Sequence, residues 1–518
     1  MKQLIAFLLG FFYVAVLVAQ PVIQWSRTMG GTGEESARSV KSTPDGGCIV
    51  SGFASTSNGD VFGNHGGLDL WVIKLSETGA TQWKKCFGGS NQDFGHSVDC
   101  ASDGGFIVSG YTRSNNGNVM SGNHGIEDIW LVKLNAQGSI QWEKTYGGSG
   151  VDRLGDYVGS MERTVDNGYI LAGYSNSTDG DVTGNHGLLD IWVVKTDDMG
   201  TLQWQKSYGG SSTDAPRAIH QTSDGGYIII GDTNSNDGDV SGNHGDRDVW
   251  VLKINAIGDI EWHTAYGGSG QDIGKSIQST SDGGYIVSAT TESIDGDVIG
   301  NHAEEDIWVF KLDSTGHIQW QKYLYGHGWE ASIFQTIDDG YIFAASKGGP
   351  FDFWILKLNP FGDQLWQTSY GGSSEDRLYA IDQSADGSLF AVGTTDSNDG
   401  DVSGFHGLYD NWMVKLSPPE SVGIQDPISS RKALEIFPNP AQQSITVKIG
   451  ALPSVVLMEA EEEPSLAIHI FDLLGRSLLQ LSTQNGRAIN ISVLPTGLYV
   501  ITATTTEGKI FVQKFRKE

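Results

Sequence analysis

The sequence predicts an all-β fold, a seven-bladed β-propeller followed by a small C-terminal β-sandwich domain. Three observations carry this. Tryptophan follows aspartate by two residues seven times, at Trp71, Trp130, Trp192, Trp250, Trp308, Trp354 and Trp412. The intervals of 59, 62, 58, 58, 46 and 58 residues are those of a repeat in which each period supplies one four-stranded blade. Seventy glycines without a collagen period mark turns between short strands, and beyond residue 417 the repeat stops and the composition shifts.

The chain begins with Lys2, an apolar run from Leu4 to Ala19, then Gln20 and Pro21. That is the layout of a signal peptide over residues 1–19, cut between Ala19 and Gln20. The run is short of the about 20 apolar residues a membrane span needs, and no later stretch is apolar enough, so no transmembrane segment is expected in the mature chain.

Each repeat reads as four strands, A to D. In the clearest copy these are about Ala215–Ser223, Tyr227–Asn234, Val249–Ile254 and Ile260–Tyr266, with Asp224-Gly225 as a two-residue hairpin turn. Strand C, as in Ile191-Trp192-Val193-Val194, is apolar at consecutive positions, so both faces are expected to be buried between neighbouring blades. Residues Val22 to Met29 match strand D alone, and the array ends at Leu416 after strands A, B and C. The N-terminal strand is therefore expected to complete the seventh blade, which removes the free sheet edge at the seam.

Asp, Trp and Lys recur in strand C of every copy and read as scaffold, the Asp satisfying backbone donors and the Lys stem covering apolar surface. The sixth copy departs from the rest. Lys347-Gly348-Gly349-Pro350 replaces a much longer loop between B and C, and the acid of the D-to-A connection is missing. Elsewhere that acid is Glu35, Asp93, Asp152, Asp214, Asp272 or Asp376. Both connections emerge at one end of a blade, so the two features are expected to depend on each other.

The longer loops carry the triplets Asn58-Gly59-Asp60, Asn116-Gly117-Asn118, Asp179-Gly180-Asp181, Asp237-Gly238-Asp239, Asp295-Gly296-Asp297 and Asp399-Gly400-Asp401. Two readings stand side by side. Asp60, Asp179, Asp181, Asp237, Asp239, Asp295, Asp297, Asp399 and Asp401 are oxygen donors that could wrap a calcium ion. The alternative is an Asx-type turn that satisfies the loop's own amides, with no cofactor at all. His65, His124, His186, His244, His302 and His406 recur once per blade. Sheets packed about 10 Å apart cannot bring them to one zinc ion, whose bonds to nitrogen are about 2.0–2.1 Å.

The net charge of −29 excludes a nucleic-acid footprint. Three cysteines, Cys48, Cys86 and Cys100, form no closed disulfide framework. No nucleophile elbow, zinc-protease motif or phosphate loop is present.

The runs Tyr-Gly-Gly-Ser, Asp-Gly-Gly-Tyr-Ile and Asp-Ile-Trp-Val-Val-Lys resemble the seven-bladed β-propeller repeats of secreted bacterial proteins over residues 20–417. Residues 418–433, rich in Pro, Ser and Gly, read as a linker, and 434–518 show alternating strands. Phe437-Pro438-Asn439-Pro440, the turn holding Asp472 and Gly475, and Leu494-Pro495-Thr496-Gly497-Leu498-Tyr499 resemble the type A C-terminal sorting domain of the Bacteroidetes type IX secretion system. The resemblance implies export through the periplasm and outer membrane by the type IX machinery, to the cell surface or the medium. For the cargo, the expected function is non-enzymatic binding of a glycan or protein by the loop face. The alternative is a polysaccharide hydrolase or lyase using the acids of the D-to-A connections.

Overall fold

In the computed structural model the described residues are 20–155, 160–301, 306–324, 331–419, 434–437, 441–449, 465–471, 477–484, 487–505 and 510–517. The chain divides into two compact units between Val422 and Gly423, each described here by itself.

The first unit is seven antiparallel sheets, one per repeat. Blade 1 runs Glu35–Ser42, Cys48–Ala54, Asp69–Leu75 and Thr81–Phe87. Blade 4, the clearest copy in sequence, runs Asp214–Gln221, Tyr227–Thr233, Asp248–Ile254 and Ile260–Tyr266. Strands A of successive blades lie beside one another and line the central channel. Blade 7 is closed by the N-terminal strand, with Ile23–Met29 antiparallel to Asp410–Leu416 and Thr28 opposite Trp412. In blade 3 strand A is split into Asp152–Leu154 and Met161–Arg163.

Strand C is buried along its whole length in six blades and at all but its first residue in the sixth. Its tryptophan fills the space between sheets, and Trp71, Trp130, Trp192, Trp250, Trp308 and Trp412 are each under 2% exposed. A second set of contacts latches one blade to the next. The Tyr146 and Tyr208 hydroxyls each donate to the carbonyl of the C-to-D turn glycine of the following blade, Gly200 and Gly258, at 2.5 Å, and Tyr266 does the same to Gly316.

Two local expectations are corrected. The A-to-B turn is not a two-residue loop: Gly225 N–H donates to Thr222 O, which centres the turn on Ser223-Asp224 and puts Gly225 in the left-handed region at φ 85°. This is the three-residue hairpin with a glycine bulge, and Asn167 at φ 67° and Asp339 at φ 61° fill the same place in blades 3 and 6. The strand-C lysine does more than cover apolar surface. Lys74 is buried with its ammonium 2.9 Å from Asp45 of the hairpin turn in its own blade, and Lys133, Lys195, Lys253, Lys311 and Lys357 pair likewise with Asp103, Asp166, Asp224, Asp282 and Asp338. A buried cation is tolerated only with such a partner.

The second unit holds two small sheets, Leu434–Phe437, Ser444–Ile449 and Ala488–Asn490 against Ser477–Gln484, Ser465–Phe471, Gly497–Thr505 and Ile510–Lys517. Ile445, Val447 and Ile489 of the first meet Ile468, Ile470 and Ile501 of the second in one apolar core.

Candidate ligand-binding face

The D-to-A connections and the B-to-C loops share one end of the propeller, and carboxylates knit them together. Asp214 is fully buried and accepts from Gly210 N–H at 2.8 Å, Ser235 Oγ at 2.8 Å and the Thr233 hydroxyl. The same arrangement holds Glu35 to Gly31, Asp93 to Gly89, Asp152 to Gly148, Asp272 to Gly268 and Asp376 to Gly372. Each ties the glycine pair of one connection to the start of the next loop. Each of these acids is enclosed and hydrogen-bonded within its junction, and Glu35 also borders a cavity between blades 7 and 1.

The triplets complete the lock from the loop side. Asp179, Asp237, Asp295 and Asp399 each accept the N–H of the serine after the glycine pair, Ser149, Ser211, Ser269 and Ser373, at 2.7–2.8 Å. That bond to the serine amide holds Asp179, Asp237 and Asp295 below the usual carboxylate range. Asp181, Asp239, Asp297 and Asp401 accept from Gly147, Gly209, Gly267 and Gly371 at 3.2–3.4 Å. Asp60 instead pairs with Lys84 at 2.6 Å. The amides served are thus those of the neighbouring connection. Among the described residues no group of three or more His, Cys, Asp or Glu is gathered as a metal site.

The loop histidines bind the strand-C aspartate. His65 Nδ1 lies 2.7 Å from Asp69 Oδ2, which also accepts the His65 backbone N–H at 2.8 Å, and His124, His186, His244 and His406 repeat this with Asp128, Asp190, Asp248 and Asp410. His302 lies outside the described residues. The other oxygen of that aspartate faces the acid of the next blade across a glycine. A Cβ on Gly88 would fall 2.7 Å from both Asp69 Oδ1 and Asp93 Oδ2. Burial, with a smaller contribution from the facing Asp93, outweighs the bonds to His65 and pushes Asp69 up to about 6.

Inside this ring the channel mouth carries residues that differ from blade to blade, and repeat matching gave them no signal. Strand A bulges between Ala37 and Ser39, Pro216 and Ala218, and Leu378 and Ala380. The bulged residues are Arg38, Arg217 and Tyr379. A cavity of about 160 Å³ opens between blades 7 and 1, lined by Glu34, Glu35, Ser36, Arg38, Phe53, Arg377, Tyr379, Thr394 and Tyr409.

Of the sorting-motif residues, Tyr499 is buried and donates to Pro495 O at 2.6 Å, and Gly497 opens its strand. Pro438, Asn439, Pro440, Asp472 and Gly475 lie outside the described residues, as does Ala19; Gln20 is exposed.

Residues 435–518 match the family model described as the secretion system C-terminal sorting domain. The molecule is therefore a β-propeller joined to a type IX sorting domain, the part recognised by the export machinery, and its destination is the cell surface or the exterior. No helix among the described residues is long and apolar enough to cross a membrane. No curated protein matches the chain. Solved structures similar to it include a protein of unknown function from Bacteroides caccae, with 11% identity over 58% of this chain and 89% of that one and a TM-score of 0.34. Hydrazine synthase from Kuenenia stuttgartiensis has 12% identity, 62% and 76% coverage and a TM-score of 0.39. The polysaccharide lyase Uly1 has 8% identity, 78% and 100% coverage and a TM-score of 0.46.

Proposed function

We propose that this chain is a non-enzymatic surface propeller that binds a glycan through its loop face. A signal peptide over residues 1–19 starts export, residues 20–417 form the binding propeller, 418–433 link it to the tail, and 434–518 direct secretion. The observation that carries the reading is the use made of the repeated acids. All six carboxylates of the D-to-A connections are buried and engaged with glycine amides and loop hydroxyls. They brace a rigid ring of loops, and an active site needs groups held free in distinct roles. At the seam of blades 7 and 1 the ring presents a cavity lined by arginine, tyrosine, phenylalanine, glutamate and small polar side chains, a mixture of aromatic faces and polar groups suited to a sugar.

The test is a panel of soluble oligosaccharides incubated with the purified chain, read both for binding and for product. Saturable binding of one saccharide class with no cleavage supports the reading. Shortened or unsaturated products would overturn it.

A further inference from the structure

We propose that the cavity between blades 7 and 1 is a subsite for an acidic pyranose, a uronate residue at the end or branch of a glycan. This rests on the glycan-binding reading above and names the sugar class.

The argument comes from comparing equivalent positions around the channel mouth. In blade 4 the bulged Arg217 donates to Asp232 at 2.8 Å, and Arg247 lies 3.4 Å from the same carboxylate, so that cation is neutralised by an acid of its own sheet. In blade 1 the bulged residue is Arg38, and the strand-B position that holds Asp232 in blade 4 holds Phe53. In blade 7 it holds Thr394. Arg38 forms no ion pair among the described residues. Its guanidinium carbon sits 4.0 Å from the Tyr379 ring centroid and 5.4 Å from that of Phe53, and its Nε is buried with no hydrogen-bond partner. Arg377, on the other wall, pairs with Glu375 at 2.6 Å through one terminal nitrogen, while its Nε is also buried and unpartnered. Ser36, in the same lining and 3% exposed, has a hydroxyl without a partner. Buried donors left unpaired are costly, and all three belong to residues that line one cavity, so side-chain shifts that admit an anion with hydroxyls would satisfy them.

Size and lining narrow the class. About 160 Å³ is below the roughly 300–1,000 Å³ that encloses a drug-sized ligand, and admits one ring. Tyr409, half-buried, offers an aromatic face to the apolar side of a pyranose, while the Tyr379 ring backs the Arg38 guanidinium. The arginines offer planar, charge-assisted donors to a carboxylate. The Glu35 carboxylate, also in the lining, is turned to Gly31 N–H and Thr56 and does not oppose that charge freely.

The test titrates the full chain with glucuronate-terminated oligosaccharides, their neutral glucose-terminated counterparts, sulfated counterparts and sodium acetate. The uronate form should bind roughly tenfold or more tighter than the neutral one, because charged hydrogen bonds differ between them. Acetate should compete only weakly, since it lacks the ring. Arg38→Met and Arg377→Met should each remove most of that preference while changing neutral-sugar affinity little. Equal affinity for acidic and neutral sugars in the unmodified protein overturns the subsite and leaves the glycan-binding reading standing; a preference for the sulfated form reassigns the anion and also overturns it. Absence of binding to every saccharide overturns both. The comparison within the unmodified protein holds even where a variant fails to fold, which melting curves reveal.

Discussion

Blade 6 and the other six blades share a sheet and differ in one end. Blade 6 keeps Asp352, Trp354 and Lys357, and Trp354 is 3% exposed, almost as deeply buried as its counterparts. It has Lys347–Pro350 where blade 4 has Ser235–Gly245, and its D-to-A connection, Tyr325–Glu330, carries a glutamate and lies outside the described residues. The blade thus folds without the loop, so the loop is not what holds the sheet. In blade 4 the loop is tied to the acid, since Asp214 satisfies Gly210 N–H and the Ser235 hydroxyl together. One carboxylate thus serves two segments.

The comparison can be broken at several strengths. The largest effect is expected from Asp214→Ala, which strands a buried amide and two hydroxyls and should lower stability by about 2–4 kcal/mol, read from the denaturant midpoint. A loss below about 0.5 kcal/mol would mean that water replaces the carboxylate.

Next comes pH. Burial raises Asp69 to about 6, and it raises Asp93 as well. Asp69 is neutral in both states well below about pH 4, and as pH rises toward 6 the unfolded chain ionises first, so its stabilising contribution is lost across that window, with Asp93 acting in the same direction. The hairpin aspartates act oppositely. Burial alone would raise Asp45 and Asp224, but the Thr43 and Thr222 hydroxyls with Lys74 and Lys253 outweigh it and bring both to about 2. Their contribution is present above about pH 4 and is lost as pH falls through 2. The melting temperature should therefore peak near pH 4 to 5. A profile rising steadily to pH 7 would contradict the upward shift of the buried junction acids.

Smaller still is the blade-to-blade latch. Tyr208→Phe removes the hydroxyl that donates to Gly258 O and should cost about 1 kcal/mol in the same denaturation assay; blade 1, with Phe87 at this place, already does without it. The smallest expected effect is none. The triplet acids already serve backbone amides, so calcium and a chelator should give the same melting temperature. A calcium-dependent rise, about 2.7 kcal/mol at a hundredfold excess over the dissociation constant, would assign the ion to them.

Much of this was legible in the sequence because repetition exposes it. The Asp-x-Trp ruler gave seven blades, the phase of Val22 to Met29 gave the closure, and Ile260–Tyr266 has the expected bounds. The missing B-to-C loop of blade 6 was also visible, while its D-to-A connection, which carries Glu330, lies outside the described residues. Partner choice was not. Asp179 serves Ser149, 30 residues back in another segment, and Lys253 reaches Asp224 across a hairpin, distances that only the folded register sets. The seam cavity was hidden for a further reason. Arg38 and Arg377 are brought together by ring closure, and neither belongs to the repeated pattern that made the rest readable.

The central claim is that acid and loop form one unit, and a double-mutant cycle in blade 4 tests it most directly. Lys347–Pro350 is grafted in place of Ser235–Gly245, alone and together with Asp214→Ala, and the denaturant midpoints of all four proteins are compared. The account predicts that the graft costs much less once Asp214 is gone, with a coupling of roughly 1–3 kcal/mol. Additivity within about 0.5 kcal/mol would contradict it.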